Sequence, residues 1–170
     1  MNKKFLVIGN PVEHSLSPRL HNYWIKKNNV DGIYEKKLLK QNEIQKLILD
    51  LKEEKIHGIN VTVPFKKMII PFLDVLSNEA RTSQSVNTIY KEKNKIIGDN
   101  TDIEGFKTSL ELTNQTIKDK KAFILGAGGV VSSIIIALKK MGISKIYLSN
   151  RTELKAQELK KNFPEIEIIE

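Results

Sequence analysis

Residues 122–131 read Ala122-Phe123-Ile124-Leu125-Gly126-Ala127-Gly128-Gly129-Val130-Val131: an apolar run, a glycine turn and the opening of a second apolar run. The first four residues predict a strand. Val131 to Met141, with Ile134-Ile135-Ile136-Ala137-Leu138 inside it, predicts a helix covered on nearly all sides. The alternation continues downstream with Ile146-Tyr147-Leu148 as a strand, Glu153 to Asn162 as a helix and Ile166 to Ile169 as a third strand. A β-α-β-α-β series of this kind is the mononucleotide-binding half of a doubly wound parallel sheet. In that setting Gly126 permits the tight turn and Gly128 lets the backbone approach a pyrophosphate. Ala127, Gly129 and Val130 complete a cradle at the helix N-terminus, where unpaired N–H groups and the helix dipole favour an anion. Val131 stands where this fingerprint carries Gly or Ala, so the helix is expected to sit slightly off the sheet.

The residues after the second strand bear on the choice of dinucleotide. An NAD site places Asp or Glu there, to accept hydrogen bonds from the ribose hydroxyls. Here the stretch is Ser149-Asn150-Arg151-Thr152, with no acid before Glu153. Arg151 offers a planar fork of donors suited to a 2′-phosphate, Asn150 and Thr152 add neutral groups, and Lys155 adds charge one turn later. The pattern favours NADP over NAD; the alternative is a solvated surface arginine.

Upstream, Phe5-Leu6-Val7-Ile8 predicts a buried first strand closed by Gly9-Asn10-Pro11. Ser17 reads as a helix cap with Pro18 at the first helical position, and Leu20, Tyr23 and Trp24 recur at helical spacing up to Asn28-Asn29. Ile33 to Leu39 is a weaker strand. Asn42 to Lys55 is an amphipathic helix with Ile44, Leu47, Ile48 and Leu51 on one face. Ile59 to Val63 is a strand with Asn60 and Thr62 at alternate positions; Val86 to Tyr90 and Lys95 to Gly98 form a hairpin about Glu92 to Asn94. Asp102 to Leu112 predicts a helix crossing between domains, followed by a polar connector from Thr113 to Lys120. The expected architecture is α/β: an amino-terminal α/β substrate-binding domain with a mixed sheet over residues 1–101, a connecting helix and linker over 102–120, and the first half of a Rossmann-type NADP-binding domain over 121–170. Three parallel strands ordinarily need a second half to build a full nicotinamide site, so the chain reads as part of a longer protein.

Composition narrows the function classes. The net charge is +8, with 17 Lys and Arg against 11 Asp and Glu in residues 1–100 and 11 against 9 thereafter. No run of five or six like charges occurs and no zinc-finger spacing is present, which argues against a nucleic-acid partner. The absence of cysteine excludes disulfides and thiolate chemistry, and His14, His21 and His57 lack metal-ligand spacing. The apolar stretch after Met1-Asn2-Lys3-Lys4 is too short for a signal peptide, and none approaches a membrane span. A cytoplasmic protein without metal or membrane partner is expected.

Four polar clusters lie at predicted strand ends, where open sheets gather ligand groups. They are Ser15-Leu16-Ser17-Pro18, Asn60-Val61-Thr62-Val63-Pro64-Phe65-Lys66, Ser85-Val86-Asn87-Thr88 and Gly98-Asp99-Asn100-Thr101-Asp102. Each alone is compatible with turn chemistry. Together ahead of a nucleotide half-domain they supply hydroxyls, amides, an ammonium and a carboxylate, an inventory for a small polyhydroxylated acid. Lys66 and Asp102 are the acid–base candidates: a carbonyl receiving hydride develops negative charge on oxygen and needs a donor there.

The five ordered motifs, these clusters with the glycine turn and Asn150-Arg151-Thr152, resemble the shikimate dehydrogenases from Phe5 to the end of the chain. The resemblance implies a substrate domain followed by a nucleotide-binding domain, and NADPH-dependent reduction of 3-dehydroshikimate to shikimate in aromatic amino-acid biosynthesis by a monomer or homodimer. It implies that Ser15 and Ser17 bind the carboxylate of shikimate. Asn60, Thr62, Asn87 and Asp102 surround the ring hydroxyls with Thr101 close by, and Lys66 and Asp102 form the catalytic pair. Gly126 to Val130 hold the pyrophosphate; Asn150, Arg151, Thr152 and Lys155 take the 2′-phosphate. Val130, Val131 and Ser85 depart from the small residues common in the family, and the family's later substrate-contacting glutamine and final helix have no counterpart in the 170 residues. The competing readings are a quinate/shikimate dehydrogenase, a methylene-tetrahydrofolate dehydrogenase and a non-catalytic substrate-binding fragment.

Overall fold

A computed structural model describes residues 3–169; Met1, Asn2 and Glu170, the last residue of the span read as resembling the family, lie outside the described residues. The chain divides into two compact units, residues 1–100 and 101–170. In the first, β1 (Lys3–Gly9), α1 (Ser17–Lys27), β2 (Gly32–Leu38), α2 (Ile44–Lys52), β3 (Gly58–Val61), α3 (Phe65–Met68), β4 (Val75–Leu76), α4 (Asn78–Ser83), β5 (Thr88–Glu92) and β6 (Lys95–Asp99) follow one another. Short 3₁₀ turns occupy Gln41–Glu43 and Ile70–Phe72. The sheet is mixed, in the order β2-β1-β3-β5-β6-β4. β1 runs parallel to β2 and β3, β5 is antiparallel to both β3 and β6, and β4 is parallel to β6.

The alternation of β1 sets the two faces. Leu6 and Ile8 enter a core with Ile59 and Val61 of β3, Ile89 of β5 and Ile96 of β6. The apolar stripe of α2, Ile44, Leu47, Ile48 and Leu51, is buried there as its period predicts. Val7 points to the other face and packs with Val12 and Tyr34, with Phe5 and Ile25 at the margin. The β5–β6 hairpin turns through Lys93 and Asn94, both at positive φ (44° and 65°), the geometry whose twist matches paired strands.

α1 departs from the sequence reading at its start. Leu16 holds the cap position without a side-chain bond, Ser17 is already helical, and the Ser15 hydroxyl accepts from the Ser17 N–H at 3.3 Å. The Ser15 hydroxyl thus takes the first helical N–H, and Pro18 stands at the second helical position, not the first. None of α1 is fully buried, and Leu20, Tyr23 and Trp24 are exposed. β3 ends at Val61, not Val63: a cis Val63–Pro64 bond follows, and Thr62 lies outside the strand.

In the second unit, α5 (Asp102–Glu111) leads to β7 (Lys121–Leu125), α6 (Val131–Lys140), β8 (Lys145–Ser149), α7 (Glu153–Asn162) and β9 (Glu167–Ile168). The three strands are parallel in the order β7-β8-β9. α5, read from sequence as a connecting helix, is part of this unit: its fully buried Ile103 joins the core of Ile135, Ala137, Leu148 and Ile166. The connector is pinned as well, since Asp119 N–H donates to the Gly142 carbonyl at 2.9 Å and Ser144 N–H to that of Lys120 at 2.8 Å. Val131 is buried in the same core, where the sequence led us to expect a helix displaced by it. No helix among the described residues is long and apolar enough to cross a membrane.

Leu47 is fully buried at the centre of the first core. Leu47→Ala is expected to cost about 2–5 kcal/mol, seen as a lower urea midpoint at unchanged slope; a loss under about 1 kcal/mol would contradict the packing described.

Candidate active site

The parallel pairing of β1 with β3 puts Gly9 and Val61 at one edge of the first sheet. Because β5 runs antiparallel to β3 and β6 antiparallel to β5, the start of β5 and the end of β6 return to that edge. Four chain segments with predicted polar groups therefore converge there: the loop after β1, the turn after β3, the approach to β5 and the exit from β6. Backbone bonds lock them. Thr62 N–H donates to the Ile8 carbonyl at 2.9 Å, Asn10 N–H to that of Val63 at 2.9 Å, and Val61 N–H to that of Asn87 at 2.8 Å. Val86 N–H donates to the Lys66 carbonyl at 2.8 Å, and Asn87 N–H to that of Asp99 at 3.0 Å.

Gly9 belongs to this junction. A Cβ there would lie 2.6 Å from the Thr62 methyl and 3.2 Å from the Val63 carbonyl, so the residue type is set by the close approach of the two loops. Lys66 sits on the one-turn α3, next to Phe65, which is buried in the core. The anchor orients a half-buried lysine at the strand edge.

Asn60 and Thr88 face each other across the β3–β5 pair, on the face opposite Ile59 and Ile89. Asn60 Nδ2 donates to the Thr88 hydroxyl at 3.2 Å and to the Asn87 carbonyl at 3.3 Å, and the Thr88 hydroxyl donates to Asn87 Oδ1 at 3.0 Å. The Tyr34 hydroxyl donates to Asn60 Oδ1 at 2.7 Å. Tyr34 is itself held firmly: Asn22 brackets its backbone with bonds of 2.8 and 2.9 Å, and the His21 ring stacks on it at 4.2 Å, nearly parallel. Burial pushes the Tyr34 phenol up to about 12, opposed by a smaller interaction with the Ser17 side chain. Burial also lowers the pKa of His21, so the stacked ring favours its neutral form.

Asn100, at the exit of β6, is buried and donates from Nδ2 to the Ser83 hydroxyl at 3.1 Å and to the Ser85 carbonyl at 2.8 Å. It is a strut between β6 and the α4–β5 loop, and it fixes the point from which Thr101 and Asp102 leave the first unit. Asp102 is the first residue of α5, where the helix dipole favours a carboxylate.

In the second unit the glycine turn follows β7 as expected. Gly126 has φ 108°, a conformation that demands glycine, and its N–H donates to the Ser149 carbonyl at 2.7 Å. A Cβ at Gly126, Gly128 or Gly129 would meet nothing within 4 Å, so the turn presents bare backbone to open space ahead of α6. That suits a pyrophosphate at a helix N-terminus. The Asn150 amide joins this turn to the end of β8, accepting from Ala127 N–H at 2.9 Å and donating to the Thr152 carbonyl at 2.7 Å. Asn150 thus straps the cradle from within. Arg151 and Lys155 are exposed and have no ion-pair partner among the described residues, leaving both cations available to a phosphate.

The sequence therefore named the polar residues of the strand edge, Thr88 among them without a role, but missed Tyr34 and the Asn22–His21 support. The one signal for Tyr34 was a hydroxyl at an inward position of a weak strand; its link to Asn60 spans β1 and has no local signature.

Two family descriptions match the chain. Shikimate dehydrogenase substrate binding domain covers residues 7–89, and Shikimate / quinate 5-dehydrogenase covers residues 109–170. A shikimate dehydrogenase (NADP(+)) of Pelagibacter ubique is 75% identical over 169 residues, 99% of this chain and 64% of that protein. The crystal structure of shikimate dehydrogenase from Aquifex aeolicus superposes with TM-score 0.92 at 40% identity, covering 99% of this chain and 63% of that one. That of Thermus thermophilus in complex with NADP(H) and shikimate gives 0.88 at 29% identity, with 99% and 63% covered. The chain thus spans slightly under two thirds of the length of these relatives.

Since the folded-state pKa of Tyr34 lies above the ordinary phenol value of 10.0, folding favours its protonated form. That contribution is complete below pH 10 and is lost as the pH rises through about 12. Urea midpoints taken from about pH 9 to about pH 12 should fall more steeply for the wild type than for Tyr34→Phe. Parallel curves would show that this phenol does not titrate with folding.

Proposed function

The chain belongs to the shikimate dehydrogenase family, and from that premise we propose that the protein catalyses the reversible NADPH-dependent reduction of 3-dehydroshikimate to shikimate. The observation that carries the reading is the convergence of the segments bearing Asn60, Thr62, Lys66 and Asn87 at one sheet edge, with the loop after β1 that leads to Ser15 and Ser17, in a chain whose second unit carries the glycine turn and Arg151. Ser15 and Ser17 take the substrate carboxylate through hydroxyl donors. Asn60, Thr62, Asn87 and Asp102, with Thr101 beside it, take the ring hydroxyls, matching donors to acceptors around a polyol.

NADPH, when bound, supplies the hydride that reaches the carbonyl carbon. The work of the chain is at the oxygen. The Lys66 ammonium donates to the carbonyl oxygen as negative charge develops and delivers the proton that makes the hydroxyl; in the reverse direction neutral Lys66 accepts it. Asp102, the second member of the proposed pair, supplies a carboxylate that accepts from a substrate ring hydroxyl. On the cofactor side the backbone of Gly126 to Val130 holds the pyrophosphate. Arg151 takes the 2′-phosphate through its guanidinium fork, with Lys155 adding charge and Asn150 and Thr152 shaping the pocket.

Steady-state oxidation of shikimate and of quinate, each with NADP and with NAD, tests the reading on the whole encoded protein and on the 170-residue chain. Turnover of shikimate with NADP supports it. Preference for quinate with NAD assigns the quinate/shikimate dehydrogenase reading instead, and shikimate binding without turnover by the whole protein leaves only a substrate-binding module.

Lys66→Ala is expected to lower kcat by about 10²–10⁴-fold with a much smaller change in KM for shikimate. An unchanged kcat would remove Lys66 from the proton transfer. Arg151→Ala is expected to raise KM for NADP by roughly ten- to a hundredfold while leaving NAD use nearly unchanged; equal effects on both dinucleotides would sink its role at the 2′-phosphate.

A further inference from the structure

The polar row on the α1 face of the first sheet is a directed chain of hydrogen bonds. It runs from the Tyr34 hydroxyl to Asn60 Oδ1 at 2.7 Å, from Asn60 Nδ2 to the Thr88 hydroxyl at 3.2 Å, and from that hydroxyl to Asn87 Oδ1 at 3.0 Å. Two of its members, Asn60 and Asn87, belong to the proposed polyol site; Tyr34 and Thr88 are the links between and behind them. Resting on the functional reading above, we infer that Tyr34 and Thr88 are positioning residues that fix the amide orientation of Asn60, and through Thr88 that of Asn87, for recognition of the substrate hydroxyls.

Amide geometry explains why links are needed. Asn60 spends both Nδ2 hydrogens, one on the Thr88 hydroxyl and one on the Asn87 carbonyl at 3.3 Å. A flipped amide would set Oδ1 against that carbonyl, acceptor against acceptor, so the Asn87 backbone selects the observed orientation. Tyr34 then secures the other end, taking one lone pair of Oδ1 and leaving the second. Asn60 so held offers a ligand an acceptor, which suits a ring hydroxyl and not a carboxylate.

The sheet brings Tyr34 into place from a distance. Tyr34 pairs with Phe5 and Asn60 with Val7, so the phenol reaches diagonally across β1, as a long aromatic side chain can. It is 4% exposed, its backbone is bracketed by Asn22, and its ring is covered by His21. The raised pKa keeps the hydroxyl protonated, hence a donor, throughout the neutral range.

The test is a mutant cycle in the whole encoded protein. Tyr34→Phe and Thr88→Val remove one hydroxyl each and keep the side-chain outline. Each is expected to raise KM for shikimate roughly five- to tenfold, with kcat changed less than about threefold and KM for NADP unmoved. In an Asn60→Ala background Tyr34→Phe should add less than about twofold, because the group it positions is gone, and Thr88→Val should keep only the part of its effect that runs through Asn87. Losses that add in full in that background, or an unchanged KM in both single variants, would overturn the inference. Should Tyr34→Phe fail to fold, Thr88→Val on the far side of Asn60 carries the cycle alone. If the wild type does not use shikimate, the functional reading fails separately. The Asn60 side-chain amide resonance then decides: it should shift in Tyr34→Phe and Thr88→Val and stay in place in Tyr23→Phe, a change at an exposed tyrosine. A resonance that stays in place in all three overturns the positioning role.

Discussion

Parallel pairing of β1 with β3 is the constraint on which the first unit turns. Parallel strands end at the same edge, and a strand end leaves backbone groups that must find partners. Here the loops supply them to one another: Thr62 to Ile8, Asn10 to Val63, and Val61 to Asn87 across the gap to β5. The inserted antiparallel pair, β5 and β6, brings two more segments to that edge without a long crossover. Side chains at this edge are held by the same bonds that satisfy the ends of the sheet, so polar groups there are positioned before any ligand arrives. That ordering is what binding and catalysis by hydrogen bonds require.

How much of this was legible followed from how local each cause is. The stripe of α2 was read to the residue because a 3.6-residue period is local, and the parallel unit was read because a glycine turn between a strand and a helix is local too. The four polar clusters were found as strand-end residues. Ser17 was misread as a cap because Ser15 sits two residues earlier with the same chemistry, and only the chain geometry shows which hydroxyl faces the N–H. The end of β3 was read two residues late: the apolar Val63 continues the alternation, although it is exposed beside a cis proline bond. Tyr34 was invisible, because its importance lies in a diagonal reach across a strand remote in sequence. Ser85 and Asn100 looked like turn residues and are buried struts for the same reason.

β7 carries the same lesson in the second unit. Its run of four apolar residues does not say which face is covered: Phe123 and Leu125 are exposed while Ala122 and Ile124 pack inward. A continuous apolar run marks a strand suited to cover on both sides, and in these residues only one side has it. The sequence records that suitability; the structure records which face the described elements occupy.

The residues proposed to hold the dinucleotide show how one side chain sets a distance. A dinucleotide with a 2′-phosphate presents two anionic groups, and a protein that holds both must keep a backbone cradle and a cation at a fixed separation. Asn150 does this from between them. Its carbonyl oxygen takes the N–H of Ala127 inside the glycine turn, and its amide nitrogen ties the carbonyl of Thr152 beyond Arg151. The bond from Gly126 N–H to the Ser149 carbonyl closes the same junction one residue earlier. Arg151 is thus exposed between backbone groups tied by Asn150, with no ion-pair partner among the described residues. Asparagine at this position braces the turn through its amide where an acid would bind ribose, and under the proposed function it also sets no repulsive charge beside a 2′-phosphate.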